Sequence, residues 1–86
     1  MTFFVYILLC DDGSFYTGST KDLDNRVKLH MNGKGARYTK SHKPKKVVFV
    51  EFFKTRSEAL KREKRIKKLS HNQKHGLIIE NNYSSN

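Results

Sequence analysis

The chain predicts an α+β domain, a small three-stranded and mainly antiparallel β-sheet flanked by helices in the order β-β-α-β-α-α. Three observations predict it. The eight-residue run Phe3–Cys10 is almost wholly apolar, β-branched or aromatic, the composition of a strand buried on both faces. The turn signal Asp11-Asp12-Gly13 follows at once and sends the chain back on itself. Two tetrads, Thr55-Arg56-Ser57-Glu58 and Ser70-His71-Asn72-Gln73, carry the capping-box spacing that opens a helix.

Each element follows in order. After the turn, Ser14 to Ser19 returns as a second strand. Thr20 or Asp22 can cap a helix that runs to about Met31, with Leu23, Val27 and Met31 as the candidates for its core-facing side. Residues 32–45 lack an apolar period and hold two glycines and the sole proline, so they read as a loop. Val47 to Phe53 forms the third strand. The first tetrad opens a helix to about Leu69, and the second opens a short final helix containing Leu77 and Ile78. Residues 1–80 therefore make one domain, and 81–86 are expected to be a disordered polar tail. A length of 86 residues leaves no room for a second core.

Composition narrows the function. The longest apolar run falls far short of the ~20 residues that span a bilayer, and it lacks the basic start of a signal peptide. A single cysteine, Cys10, excludes an intramolecular disulfide and any zinc site on paired cysteines; it reads as a small buried hydrophobe of a cytoplasmic protein. Eighteen Lys and Arg against eight Asp and Glu give a net charge of +10. The distribution says more than the sum. Residues 1–33 carry −1, residues 34–74 carry +12 and the remainder −1. Such a concentration of positive charge suits a polyanion, nucleic acid before anionic lipid. The expected state is a monomer, with no membrane partner and no small-molecule cofactor.

Hairpin register decides what faces what. With a three-residue loop ending at Gly13, Cys10 lies opposite Ser14, Leu8 opposite Tyr16 and Tyr6 opposite Gly18. Tyr6 and Tyr16 then project from the same face, one diagonal step apart. Gly18 is expected to leave open space beside the Tyr6 phenol, where a substrate's backbone can approach. On the next helix Arg26 and His30 are four residues apart and share a face. On the later helix Ala59, Glu63 and Ile66 share the core-facing side, so Glu63 is an inward acid on an otherwise basic helix. A carboxylate there must be paired, hydrogen-bonded or bound to a metal. Its ordinary partner would be Lys67, or Arg26 across the core. Taken singly, the tyrosines are ordinary strand residues, Arg26 a solvated base and His30 a helix-surface histidine.

Together they resemble a family. Phe4-Val5-Tyr6, ten residues before Tyr16-Thr17-Gly18, is similar to the paired motifs of the GIY-YIG nucleases, with Arg26, His30 and Glu63 following in that family's order. The likeness spans roughly Phe3 to Leu69, and in size the chain is similar to the small, stand-alone bacterial members. Phe4 stands at the first motif's glycine, and Ser19 where some members carry a lysine. Asn72 is the nearest candidate for the Asn that many members carry downstream of the glutamate.

The resemblance implies a GIY-YIG endonuclease-like fold and metal-dependent hydrolysis of phosphodiester bonds in DNA, selective for structure rather than sequence. Glu63 would hold a single Mg²⁺ or Mn²⁺, which stabilises the leaving oxygen. Arg26 would grip the scissile phosphate. Tyr16 or Tyr6 would take a proton from the attacking water or position it, and His30 would hydrogen-bond a tyrosine or the phosphate. The alternative is a nucleic-acid-binding module on the same fold with weak or lost catalysis. In either case Lys34, Arg37, Lys64 and Lys68 are candidates for phosphate contacts, and Tyr38 for stacking on an unpaired base. The loop Gly33-Lys34-Gly35-Ala36-Arg37-Tyr38 lacks the spacing of a phosphate-binding P-loop. His42, His71 and His75 read as surface residues.

Overall fold

The computed structural model describes residues 2–81. Strand β1 (Phe3–Cys10) turns into β2 (Phe15–Thr20), followed by α1 (Leu23–Met31), α2 (Arg37–Ser41), β3 (Pro44–Phe53), α3 (Arg56–Lys67) and α4 (His71–Asn81). The predicted order holds, with the one-turn helix α2 added between α1 and β3. The three strands form one antiparallel sheet in the order β2-β1-β3. The apolar strand β1 is central, and Val5, Tyr6, Ile7 and Leu8 are wholly buried.

The hairpin has the three-residue loop. The Cys10 amide donates to the Ser14 carbonyl at 2.9 Å and the Gly13 amide to the Cys10 carbonyl at 2.9 Å. Gly13 closes the turn at φ +85°, the left-handed region that glycine enters without steric cost. Tyr6 accordingly pairs with Gly18 and Leu8 with Tyr16.

Alternation along the strands divides the sheet into two faces. One carries Val5, Ile7 and Phe49, which pack with Ala59 and Ile66 of α3. Phe3, Phe15, Phe53, Leu77 and Ile78 extend this core. The other face carries Tyr6, Leu8, Cys10 and Tyr16, the side on which His30 of α1 is buried against both tyrosines.

Caps set where the helices begin. The Asp22 carboxylate accepts from the Asn25 amide at 3.2 Å, and Thr55 Oγ1 accepts from the Glu58 amide at 3.2 Å. Before α4 both arms of the box are made: Gln73 donates its amide to Ser70 Oγ at 3.2 Å, and Gln73 Oε1 accepts from the Ser70 amide at 2.9 Å.

Three expectations need correction. Residues 32–45 are not all loop, because Arg37–Ser41 makes one helical turn, too short to leave an apolar period. Strand β3 begins at Pro44 rather than Val47. Pro44 lacks an amide donor, which is tolerated at the first residue of an edge strand, where it pairs with Cys10. Asn81 belongs to α4; the rest of the expected tail, residues 82–86, lies outside the described residues.

Candidate active site

Gly18 is the thin point of the sheet. A Cβ built there would lie 2.6 Å from Tyr6 Oη, 2.8 Å from Tyr6 Cζ and 3.1 Å from Tyr16 Cε2. The expected open space beside the phenol is therefore filled by the phenol itself, which lies across the β2 backbone. Glycine at position 18 makes room for Tyr6, not for substrate.

His30 joins the two tyrosines. Its Nε2 is 2.7 Å from Tyr6 Oη, and its Nδ1 is 2.8 Å from Thr39 Oγ1 on α2. The imidazole centroid is 5.7 Å from the Tyr6 ring and 4.9 Å from the Tyr16 ring, and the two phenols are 6.4 Å apart. His30 is fully buried, and a Cβ on Gly35 would collide with its Nδ1. The two loop glycines thus differ in purpose: Gly33 turns the chain at φ +74°, whereas Gly35 lets the backbone close over the ring.

Burial governs the titration of this pair. It pushes the Tyr6 phenol up to about 12, against which the neighbouring Arg26 guanidinium acts. Burial also holds His30 down at about 4, helped by the repulsion of Arg26. Both groups are therefore neutral at pH 7. The Arg26 Nε is itself buried and lacks a hydrogen-bond partner among the described residues, a costly state for a charged donor.

Glu63 approaches from the opposite side of the sheet, on α3. Its Oε1 accepts from Ser19 Oγ at 2.5 Å, and its Oε2 pairs with Lys67 Nζ at 2.7 Å. Of the two ordinary partners expected for this carboxylate, Lys67 is the one observed. Tyr16, Arg26 and Glu63 all lie within electrostatic reach of the Tyr6 phenol. Tyr6, Tyr16 and His30 are thus in direct contact, Arg26 lies beside the Tyr6 phenol, and Glu63 is held by Ser19 of β2 on the other face of the sheet.

The remaining candidates surround this cluster. Lys34, Arg37, Lys64 and Lys68 are exposed. Lys64 lines an open groove of about 590 Å³ along α3, together with Arg56, Glu63 and Lys67. Tyr38 stacks on His42 with ring centroids 4.0 Å apart and planes within 7°, and its ring is also stacked with Tyr16 at 5.9 Å. Its neighbours are thus protein rings. His42 and His71 have structural partners as well, Tyr38 for the first and Phe15 with the Gly13 carbonyl for the second. Asn72 is exposed in the first turn of α4.

Sequence reasoning missed Thr39, which sits in a stretch without periodicity and contacts the site only through α2. It also treated Ser19 as the absence of a lysine rather than as a donor to Glu63.

The GIY-YIG catalytic domain family matches residues 2–76. The chain belongs to the GIY-YIG family. A UPF0213 protein of Staphylococcus saprophyticus is 51% identical over 77 residues, covering 90% of this chain and 94% of that protein. A UPF0213 protein of Clostridium perfringens is 53% identical over 75 residues, covering 87% and 81%. The solution NMR structure of a UPF0213 protein from Bacillus halodurans superposes with a TM-score of 0.62 at 42% identity, covering 95% of this chain and 88% of that one. An E. faecalis protein, also solved by NMR, gives 0.64 at 40% identity, covering 93% and 85%. GIY-YIG nucleases use divalent metal ions and act on nucleic acid, which fits a basic GIY-YIG domain with one inward carboxylate. None of the helices described is long and apolar enough to cross a membrane.

Proposed function

We propose that this GIY-YIG domain is a metal-dependent endonuclease that hydrolyses phosphodiester bonds in DNA and selects its substrate by shape. The observation that carries the reading is Arg26: a guanidinium with a buried, unpartnered Nε beside a phenol and within the same cluster as Glu63. A phosphate oxygen is an acceptor that the solvent-facing part of this half-buried guanidinium suits, and the bond would be charge-assisted.

The residues divide the work by their access to solvent. Arg26 binds the scissile phosphate and offsets the negative charge that grows in the transition state. Tyr16 is half-buried, so it orients the attacking water; it takes that water's proton only as the phenolate, its own proton having first passed to solvent. Tyr6 is wholly enclosed and bonded to His30, so it holds the site together from below. The water attacks phosphorus directly, without a covalent enzyme intermediate. Lys34, Arg37, Lys64 and Lys68 supply the sequence-independent attraction to the backbone. Tyr38, stacked between Tyr16 and His42, supports the Tyr16 ring.

Glu63 suits a hard cation. It is an oxygen donor with a side chain 15% exposed, and one of its oxygens already holds the Lys67 ammonium. Among the described residues no three His, Cys, Asp or Glu gather into a metal-binding group, so water and phosphate oxygens would complete the shell, as Mg²⁺ or Mn²⁺ allows. When bound, the ion supplies Lewis-acid stabilisation of the leaving oxygen.

A second reading, nucleic-acid binding without catalysis, draws on the fact that both Glu63 oxygens are engaged by protein partners. Arg26→Ala and Tyr16→Phe separate the two. The enzyme reading expects both to lose cleavage of labelled DNA by at least ~100-fold, with Tyr16→Phe still binding DNA in a salt-dependent way. Unchanged behaviour of both variants would refute it.

A further inference from the structure

The buried polar groups around His30 form a single chain, and its two ends fix the direction of every proton in it. At one end stands the Ala36 carbonyl, which can only accept; Thr39 Oγ1 lies 3.2 Å from it and donates. At the other end stands the Arg26 guanidinium, beside the Tyr6 phenol, which can only donate. Between them lie Tyr6 Oη, the His30 ring and Thr39 Oγ1, joined by contacts of 2.7 Å and 2.8 Å. A hydroxyl that gives its one proton to Ala36 must accept from His30 Nδ1, so that nitrogen carries the hydrogen. Nε2 is then the acceptor, and the Tyr6 hydroxyl donates to it. The reverse order would set the Thr39 oxygen lone pairs against the Ala36 carbonyl. It would also leave the enclosed Tyr6 hydroxyl proton without an acceptor, since His30 is its hydrogen-bond partner among the described residues. Buried donors are rarely left in that state.

We propose that Thr39 is a positioning residue: it locks His30 in the tautomer protonated at Nδ1, which draws the Tyr6 proton inward and leaves the Tyr6 oxygen lone pairs to accept from Arg26. The tautomer assignment stands on the geometry alone. Its consequence for activity, that Arg26 is held in the orientation that meets a phosphate, rests on the nuclease reading. Thr39 acts through the His30 ring, which its hydroxyl reaches from α2 at 2.8 Å. Gly35 completes the device, because the backbone that carries Thr39 can close over the imidazole only without a side chain there.

The test reads the tautomer directly. Protein labelled with ¹⁵N-histidine is compared by long-range ¹H–¹⁵N correlation at pH 7 as wild type, Thr39→Val and Thr39→Ser. Valine keeps the shape and removes the acceptor; serine restores the hydroxyl. The wild type is expected to carry the His30 proton on Nδ1. Thr39→Val should move it to Nε2 wholly or in part, and Thr39→Ser should keep the wild-type pattern. Cleavage of labelled DNA with Mn²⁺ should fall at least about tenfold in kcat for Thr39→Val, with KM little changed, and recover in Thr39→Ser. A wild-type proton on Nε2 overturns the proposal, even if Thr39→Val fails to fold. So does a Thr39→Val protein that retains the Nδ1 proton. If no version cuts DNA, the nuclease reading fails while the tautomer pattern still decides the role of Thr39.

Discussion

Replacing His30 with glutamine should flatten the acid side of the stability curve. The imidazole is fully enclosed, and burial holds it near 4 where an unfolded histidine titrates near 6.5. Between those values the unfolded chain binds a proton that the folded one refuses, so stability falls as pH falls. The contribution is whole above pH 6.5 and is lost progressively down to about pH 4. At ~1.36 kcal/mol per pH unit the full span is worth about 3 kcal/mol, of which about 2 is already gone between pH 7.5 and 5. That window lies above the ordinary carboxylate range, so the difference between proteins isolates the histidine. Guanidinium unfolding at pH 7.5, 6.5, 5.5 and 5.0 gives the free energies. Wild type should lose about 2 kcal/mol more than His30→Gln over that range, although the variant starts from a lower value. Parallel curves would refute the reasoning, because they would mean that His30 protonates in the folded state as freely as in the unfolded one.

Other outcomes follow from the same contacts. Tyr6, held up at about 12 by burial, contributes stability that is full below pH 10 and is lost as pH rises through the folded value; Tyr6→Phe should remove that alkaline loss in the same unfolding assay. Gly18→Ala places a methyl 2.6 Å from Tyr6 Oη and should cost ~1–3 kcal/mol, read as a melting temperature at least ~4 °C lower; an unchanged melt would mean that the phenol does not lie across that strand. Lys67→Ala frees one oxygen of Glu63. The pair is half-exposed on the lysine side, so Mn²⁺ binding measured by calorimetry should tighten only about two- to fivefold; weaker binding would contradict the placement of the metal on Glu63.

How far the site was legible depended on how local its cause was. The pairing of Tyr6 with Gly18 follows from a short loop ending in glycine, a constraint written in three adjacent residues, and it fixed which tyrosines share a face. Glu63 stood out because an acid at core spacing among lysines and arginines needs a reason. The occupant of the space over Gly18 was not legible, since a glycine opposite a tyrosine says that room exists and not what fills it. Thr39 was less accessible still. Its helix is one turn long, its residues have no apolar rhythm, and its partner His30 lies nine positions back through two glycines. Pro44 misled in the usual way, because a proline next to lysines reads as loop until an edge strand supplies a place that needs no amide.

The most direct test of the central claim is cleavage of labelled duplex, branched and single-stranded DNA with Mn²⁺ or Mg²⁺, beside Glu63→Gln purified identically. Wild type should show metal-dependent cutting that is lost in Glu63→Gln, with salt-dependent DNA binding kept by both. Equal binding by the two proteins with no cutting by either would contradict that claim.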